Sequence, residues 1–329
     1  MRGPILAVDD EPINLARLRN ILEDQHELVF ARNGEEALQA VAKHRPALIL
    51  LDVQMPVMDG YEVCRRLKAN PATEDIPVIF VTSLGSDWNE ETGFDAGCVD
   101  YITKPISAVV LKTRVRTHLS LVREQRLEAS YRDAIFMLGE AGHYNDTDTG
   151  VHIWRMAAYS RTLAEAMGWK DERAVLMELA APMHDTGKIG VPDAVLKKQG
   201  PLNADDWNFM RCHPRIGYDI LRKSNAPVFQ LAAEIAYCHH EKWDGSGYPR
   251  ALAGEDIPQS ARIVAVADVF DALSMKRPYK EPWPLERVIS HLNEGTGKHF
   301  DPAVIAAFHQ VRPTILQIQA DWNDREQHG

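Results

Sequence analysis

Five short apolar runs recur in the first third of the chain, separated by amphipathic stretches of helical period. The runs are residues 5–10, 28–31, 47–52, 77–83 and 98–105. Strands that alternate with helices of this length predict a doubly wound α/β fold with a parallel sheet. In such a sheet the functional site lies at the carboxyl ends of the strands. The residues that close each run are therefore the first candidates for function.

Polar side chains close four of the five runs. Asp9 and Asp10 end the first run, Asp52 the third, Thr82 the fourth and Lys104 the fifth. Converging carboxylates suit Mg²⁺, which prefers oxygen ligands. One carboxylate can also act as a nucleophile toward a phosphoryl donor while a lysine balances the charge. Each acid alone is explained equally well as a turn residue, but their occurrence together at the strand ends favours a site.

The motifs VDDEP, LLDVQMPVMDG, VTS and DYITKP make residues 1–120 resemble a response-regulator receiver domain, which has a flavodoxin-like fold. The resemblance implies that Asp52 is the phosphoacceptor and that Asp9 and Asp10 bind Mg²⁺. It also implies that Thr82 and Lys104 contact the phosphate and that Tyr101 is the aromatic switch residue. The alternative for Tyr101 is a half-buried strand residue with no switching role. The resemblance also implies a sensor histidine kinase as a partner.

A helical pattern then runs from Ile106 to about Glu140. Residues recur in it at near-heptad spacing, at Leu111, at Val115, at His118 or Leu119, and at Val122. This spacing is compatible with a homodimer formed through a coiled coil, and with an amphipathic helix that packs on its own domain. We predict a helical linker over residues 121–140 and slightly favour the homodimer.

Helical periodicity dominates from about residue 140, and histidines and acids recur within it. One predicted helix ends at Gly168, and another carries His184 and Asp185 at its far end. A lone histidine is more often a core residue than a ligand, but here several lie beside or one turn from an acid. Imidazole and carboxylate together suit Mn, Fe, Ni or Zn, and a neighbouring histidine and aspartate suit two metals that share a carboxylate. The pattern favours a catalytic site with several metal ions.

The motifs HDTGKIGVPDAVL, HHEKWDGSGYP, RPYK and HFDP make residues 141–315 resemble an HD-GYP domain, an all-α HD-type fold of metal-dependent cyclic di-GMP phosphodiesterases. The resemblance implies a binuclear Fe, Mn or Ni centre, with ligands at His152, His184, Asp185, His213, His239, His240 and Asp268. It implies contacts with cyclic di-GMP at Lys188, Tyr248, Arg277 and Lys280. Asp185 would bridge the metals, and Lys188 would offset charge at the reacting phosphate.

Asp148 departs from the family pattern, because many members carry glutamate four residues before the first histidine. Aspartate is one methylene shorter than glutamate, so we expect two metal ions rather than three. Asp148 itself is either a metal ligand or a helix N-cap, a position for which aspartate is well suited. The GYP loop is expected to line the substrate cleft or to meet a partner such as a diguanylate cyclase domain.

The predicted function is a response regulator whose phosphorylation controls hydrolysis of cyclic di-GMP to pGpG and then GMP. The alternatives are a cyclic-dinucleotide sensor with weak turnover, a phosphodiesterase for a related molecule such as cyclic GMP-AMP, and an HD phosphohydrolase of ordinary nucleotides. A net charge of -10 argues against a nucleic-acid polymer as partner. The chain shows no signal peptide and no apolar run that could span a membrane, so we expect a cytoplasmic protein. We predict that residues 316–329 fray.

Overall fold

The computed structural model describes residues 3–83, 90–143, 150–275 and 281–328. The chain divides into two compact units, residues 1–129 and 130–329. Arg277, Lys280 and Asp148, which the sequence singled out, lie outside the described residues.

The first unit contains a five-stranded parallel sheet with the strand order β2-β1-β3-β4-β5. The strands are β1 (Ile5–Val8), β2 (Leu28–Ala31), β3 (Leu48–Asp52), β4 (Val78–Ser83) and β5 (Asp100–Lys104). The helices of this part of the chain are α1 (Pro12–Leu22), α2 (Gly34–His44), α3 (Gly60–Lys68), α4 (Glu90–Asp95) and α5 (Ala108–His143). This arrangement confirms the predicted doubly wound α/β fold.

Both faces of this sheet are buried, which is why the strands appear in the sequence as continuous apolar runs. Along β1, Leu6 and Val8 belong to one hydrophobic cluster, whereas Ile5 and Ala7 belong to another. The chain therefore places successive residues of a strand on opposite faces, each against its own layer of helices.

The start of α5 packs on the first unit's own core. Leu111 and Val115 are fully buried there, and Leu119 is partly buried against the same cluster. Further along, Leu121 and Leu127 are 48% and 69% exposed. The first half of the near-heptad pattern therefore belongs to a helix that packs on its own domain, which was the alternative to a coiled-coil homodimer.

The second unit is helical and confirms the predicted all-α fold. After the end of α5, its helices are α6 (Gly150–Ala166), α7 (Asp171–Ala180), α8 (Asp193–Leu196), α9 (Ala204–Met210), α10 (His213–Leu221), α11 (Pro227–Cys238), α12 (Gln259–Ser274), α13 (Leu285–Glu294) and α14 (Pro302–His328). The core of this unit is built around large buried rings such as Tyr159, Phe270 and Phe308. Gly168, which follows α6, has a φ of 85°, as expected for a glycine that ends a helix.

One prediction in this unit was wrong. His184 and Asp185 are not at the end of a long helix, because α7 ends at Ala180 and two short 3₁₀ turns follow, at Ala181–Met183 and Thr186–Gly190. Pro182 lies within the first of these turns, where it cannot donate the backbone hydrogen bond that would continue α7.

The C-terminal stretch, residues 316–329, was expected to fray, and its fraying in solution stays a prediction. The helix α14 continues to His328. Ile315 is fully buried in the core, and the ring of Trp322 stacks on that of Trp154 with 6.2 Å between centroids. These apolar contacts explain why the polar tail remains helical.

Candidate functional site

The carboxyl ends of the strands in the first unit bring together the predicted acids and lysine. Asp9, Asp10 and Asp52 each offer an oxygen, and these atoms lie within 4.8 Å of one another. The ammonium group of Lys104 is 2.9 Å from Asp9 Oδ2 and 2.9 Å from Asp52 Oδ2. A cluster of carboxylate oxygens of this kind fits Mg²⁺, which takes oxygen ligands.

Burial and charge act against each other at this acidic cluster. Burial raises the pKa of Asp52, against the hydrogen bond from Lys104, which lowers it. Burial would lower the pKa of Lys104, but its bonds to Asp9 and Asp52 raise it above the usual value. The lysine therefore stays charged beside carboxylates that have few water contacts.

Thr82 and Tyr101, the predicted phosphate contact and switch residue, lie on the neighbouring strands β4 and β5. Thr82 is 1% exposed, and its hydroxyl donates to the carbonyl of Ser83 at 3.2 Å. Tyr101 is half-buried, and its ring meets the edge of Phe94 at 6.5 Å. Thr82 thus lies on the strand next to β3, which ends at Asp52, and Tyr101 lies on β5, which ends at Lys104. The switch role of Tyr101 stays a prediction.

In the second unit, four predicted metal ligands converge. Asp185, His213, His239 and His240 each offer a donor atom within 4.8 Å of the others. Asp185 Oδ1 is 3.2 Å from His213 Nε2 and 3.6 Å from His239 Nε2. Asp185 Oδ2 is 3.2 Å from Nε2 of His184. We call these five residues the histidine cluster.

Backbone carbonyls orient three imidazoles of the histidine cluster. Nδ1 of His184 lies 2.9 Å from the carbonyl of Ala181, that of His213 lies 2.7 Å from Met210 O, and that of His239 lies 3.0 Å from Ala236 O. Since a carbonyl only accepts, Nδ1 carries the proton and donates, and each ring presents Nε2 toward Asp185. This tautomer is the one that a metal ligand needs.

Glycine in the HDTGK segment allows the turn to approach α10. A Cβ atom on Gly187 would lie 1.9 Å from the carbonyl oxygen of His213 and 2.4 Å from the amide nitrogen of Gly217. No side chain fits in that space, so glycine is required where the turn carrying Asp185 meets the helix that begins at His213.

The protonation of the cluster depends on its burial. Burial lowers the pKa of His239, against the effect of Asp185, and burial together with the charge of His239 lowers that of His240 well below its usual value. At His184 burial also favours the neutral form, but the charge of Asp185 outweighs it and raises the pKa to about 9. Mostly neutral imidazoles around one shared carboxylate are a donor set that fits divalent transition metals.

The remaining two predicted ligands, His152 and Asp268, form a second pair. Nε2 of His152 is 3.7 Å from Asp268 Oδ1. The charge of Asp268 also contributes to the raised pKa of His184. The structure thus brings five of the seven ligands implied by the resemblance into one cluster and places the other two beside each other.

Sequence reasoning missed the residues that hold His152. Asp271 accepts from Nδ1 of His152 at 2.5 Å and receives two hydrogen bonds from Arg155, at 2.8 and 3.0 Å. All three side chains are buried. The available signal was spacing, because Arg155 follows His152 by three residues and Asp271 follows Asp268 by three, which places each on the same helix face as a predicted ligand.

Cationic and aromatic groups lie beside the cluster. The ammonium of Lys188 is 2.8 Å from Asp185 Oδ2. The ring of Tyr248 stacks on His240 with 4.8 Å between centroids. The guanidinium of Arg211 lies 5.6 Å from the centre of the Tyr248 ring and 5.9 Å from that of Trp207. Arg211 was not predicted, because no motif contains it.

The loop that carries Tyr248 is fixed by Glu241, the acid that follows the paired histidines. Its buried carboxylate accepts from the backbone N–H groups of Arg250 at 2.7 Å and Leu252 at 3.0 Å. A Cβ atom on Gly247 would lie 2.3 Å from the amide nitrogen of Lys242, so the loop can fold back on itself only with glycine there. These contacts set the position of Tyr248.

Comparisons with known proteins agree with both units. Residues 5–116 match the family model of the response regulator receiver domain, and residues 122–304 match that of the HD domain. A probable cyclic di-GMP phosphodiesterase of Vibrio cholerae is 39% identical, over 98% of this chain and 80% of the relative. The cyclic di-GMP phosphodiesterase response regulator RpfG of Xanthomonas campestris is 40% identical, over 95% of this chain and 89% of the relative.

A third relative has a different substrate in its name. The 3'3'-cGAMP-specific phosphodiesterase 2 of Vibrio cholerae is 40% identical, over 60% of this chain and 38% of the relative.

Among the described residues, no helix combines the length and the apolar composition that crossing a membrane requires.

Proposed function

Because the chain belongs to the family of response regulators that join a receiver domain to an HD phosphodiesterase domain, we propose that it hydrolyses cyclic di-GMP under the control of phosphorylation at Asp52. The observation that carries the proposal is the histidine cluster, in which one carboxylate lies within 3.6 Å of three imidazoles whose orientation is fixed by hydrogen bonds.

The residues that would hold a binuclear centre are His152, His184, Asp185, His213, His239, His240 and Asp268. Bound Fe, Mn or Ni ions would supply Lewis-acid activation of water and of the phosphoryl oxygens. Asp185 suits a bridging role, because its two oxygens face different histidines, Oδ1 toward His213 and Oδ2 toward His184. In the receiver domain, Asp9, Asp10 and Asp52 would hold Mg²⁺.

Hydrolysis adds water across one P–O bond of the cyclic substrate, which gives linear pGpG, and a second addition gives GMP. Lys188 offsets the negative charge that develops on the phosphoryl oxygens, since its ammonium already lies beside Asp185. Arg211 and Tyr248 form a cationic and aromatic surface beside the same cluster, which suits the second phosphate and a base. Arg277 and Lys280 keep their proposed substrate contacts by resemblance alone.

Phosphorylation would enter through the receiver domain. A sensor histidine kinase would transfer a phosphoryl group to Asp52, and Lys104 and Thr82 would bind the new phosphate. We retain residues 1–120 and 141–315 as the receiver and phosphodiesterase domains, with the linker at 121–140. A homodimer and a diguanylate cyclase partner at the GYP loop remain proposals.

A second candidate substrate is cyclic GMP-AMP. It is favoured by the 40% identity to the cGAMP-specific relative over 60% of this chain. Both molecules present two bridging phosphates to the same cations, so the choice between them depends on base contacts.

The test is hydrolysis by the full chain reconstituted anaerobically with Fe²⁺ or Mn²⁺, with cyclic di-GMP and cyclic GMP-AMP supplied separately. Chromatography should detect pGpG or GMP with the wild type and neither with the His184→Ala, Asp185→Ala double variant. His309→Ala, which changes an exposed histidine on α14 that bonds Asn293, serves as the control. Tight binding of cyclic di-GMP without turnover under every metal would contradict the enzyme and leave a sensor.

A further inference from the structure

A pocket of about 490 Å³ lies in the helical unit and is lined by none of the histidine cluster. Its lining includes Arg173, Tyr218, Glu234, Tyr237 and Arg250. Small-molecule sites typically occupy about 300–1,000 Å³, so the pocket is large enough for a mononucleotide. We call it the arginine pocket.

Two tyrosines form an aromatic wall of the arginine pocket. The rings of Tyr218 and Tyr237 stack with 4.6 Å between centroids and 21° between planes. The guanidinium of Arg222 lies 5.3 Å from the centre of the Tyr218 ring, and that of Arg250 lies 5.6 Å from the centre of the Tyr237 ring. Guanidinium groups at these distances are attracted by the ring faces, which holds them beside the pocket.

The pocket is locally cationic although the chain carries a net charge of -10. Asp219 pairs with Arg215 at 2.9 Å and with Arg222 at 3.0 Å. Within the part of the chain that the structure describes, the two lining arginines, Arg173 and Arg250, form no ion pair. Their charge is therefore available to an anion, and a guanidinium can bind a phosphate through two parallel hydrogen bonds.

The pocket also contains a carboxylate, that of Glu234. Glu234 lines the same pocket, and the hydroxyl of Ser260 donates to its Oε1 at 2.5 Å, which fixes the carboxylate. A fixed carboxylate accepts hydrogen bonds, and guanine presents two adjacent donors to it, N1–H and the N2 amino group, whereas adenine presents one amino group, at N6, beside the acceptor N1. An anion alone would be repelled by Glu234, whereas a guanine nucleotide supplies a phosphate for the arginines and donors for the acid.

We propose that the arginine pocket is a binding site for a guanine nucleotide, separate from the histidine cluster. Arg173 and Arg250 bind its phosphate, and Glu234 binds the amino edge of its base. The wall of Tyr218 and Tyr237 provides the apolar surface.

Two of the helices that line the pocket, α10 and α11, also position predicted metal ligands. The helix α10 begins at His213 and bears Tyr218, and α11 bears Tyr237 and ends one residue before His239. The Nε2 atoms of His213 and His239 are 3.4 Å apart. A nucleotide that shifts the tyrosine wall therefore acts on the helices that position the histidine cluster.

The test is a calorimetric titration of the full Mn²⁺-loaded chain with GMP. The wild type should show a saturable site that Arg173→Ala, Arg250→Ala weakens at least about tenfold, a loss of at least about 1.4 kcal/mol in binding free energy. Arg287→Ala is the matched control, since Arg287 lies 3.9 Å from the Trp283 ring centre just as Arg173 lies 3.9 Å from that of Trp169.

AMP and inorganic phosphate should bind the wild type at least about tenfold more weakly than GMP. The absence of a GMP site, equal GMP affinity in the double variant, or equal affinity for AMP would each overturn the proposal. The titration requires no turnover, so its failure would leave the proposed phosphodiesterase activity untouched.

Discussion

At the scale of single residues, the position of His152 depends on a buried ion pair that the sequence did not reveal. Asp271 binds His152 and Arg155 together, and burial alone would raise the pKa of Asp271, but the hydrogen bonds and charges of those two residues lower it. The carboxylate therefore stays ionised and holds the imidazole with Nδ1 donating, so Nε2 faces Asp268.

Asp271→Asn should weaken metal binding, because it removes the charge that orients His152. We expect about 10–100-fold lower metal affinity, as for other partners of ligating histidines. We also expect a loss of about 3–5 kcal/mol in the free energy of unfolding, because Arg155 would remain buried without its counter-charge. Metal competition with a chelator and urea unfolding measure the two effects. Unchanged metal affinity, with Glu294→Gln on the exposed side of α13 as control, would contradict this role for Asp271.

A different prediction concerns Arg211, whose guanidinium lies over the ring of Tyr248. Arg211→Ala should raise KM for cyclic di-GMP about tenfold with kcat nearly unchanged, since binding is lost equally in the ground and transition states. Arg211→Lys should recover part of the affinity, because it keeps the charge but not the planar stacking surface.

Lys197→Ala, an exposed lysine that pairs with Asp193, is the control for Arg211. Steady-state kinetics decides the matter, and a fall in kcat at unchanged KM would place Arg211 in the chemistry rather than in binding.

At the scale of elements, α5 is attached to the start of β5 by a compact polar contact. Asp100 receives a hydrogen bond from Arg114 and contacts Nε2 of His118 at 3.0 Å. Burial would raise the pKa of Asp100, but the bonds from Arg114 and His118 lower it below its usual value. This contact joins the helix that leaves the receiver sheet to the strand that ends at Lys104.

The lowered pKa of Asp100 sets the sign of a pH effect on stability. A carboxyl whose pKa is lower in the folded state stabilises the fold above its unfolded pKa, about 3.9, and this contribution is lost as the pH falls through the folded value. Asp100→Asn should therefore cost about 1 kcal/mol at neutral pH and progressively less below about pH 4. Urea unfolding followed by circular dichroism measures it, with the exposed Glu23→Gln as control. A cost that is independent of pH would exclude this contact as its source.

Elements whose residues follow one period were predictable from sequence, and elements set by distant contacts were not. The five strands were predicted because burial on both sheet faces leaves an apolar run in the chain. The turns around His184 were misjudged as helix, since their geometry depends on Pro182 and on the space that Gly187 leaves for His213. The bond between His152 and Asp271 joins positions 119 residues apart, which no local pattern reveals.

At the scale of the whole molecule, the chain combines an acidic cluster suited to a phosphoryl group and a histidine cluster suited to hydrolysis. The helix α5 contributes buried residues to both cores, Leu111 and Val115 to the first unit and Ile135 to the second. We propose that a charge change at Asp52 acts on the second unit through this helix.

The most direct test of this account is the rate of cyclic di-GMP hydrolysis by the Mn²⁺-loaded full chain with and without beryllofluoride, which mimics the phosphoryl group on Asp52. The account predicts at least about a threefold change in rate for the wild type. This change corresponds to a shift of about 0.6 kcal/mol in the equilibrium between the less active and the more active state. It predicts no change for Asp52→Asn, which cannot take up the mimic in the same way. Equal wild-type rates in both conditions, or an equal response from Asp52→Asn, would contradict it.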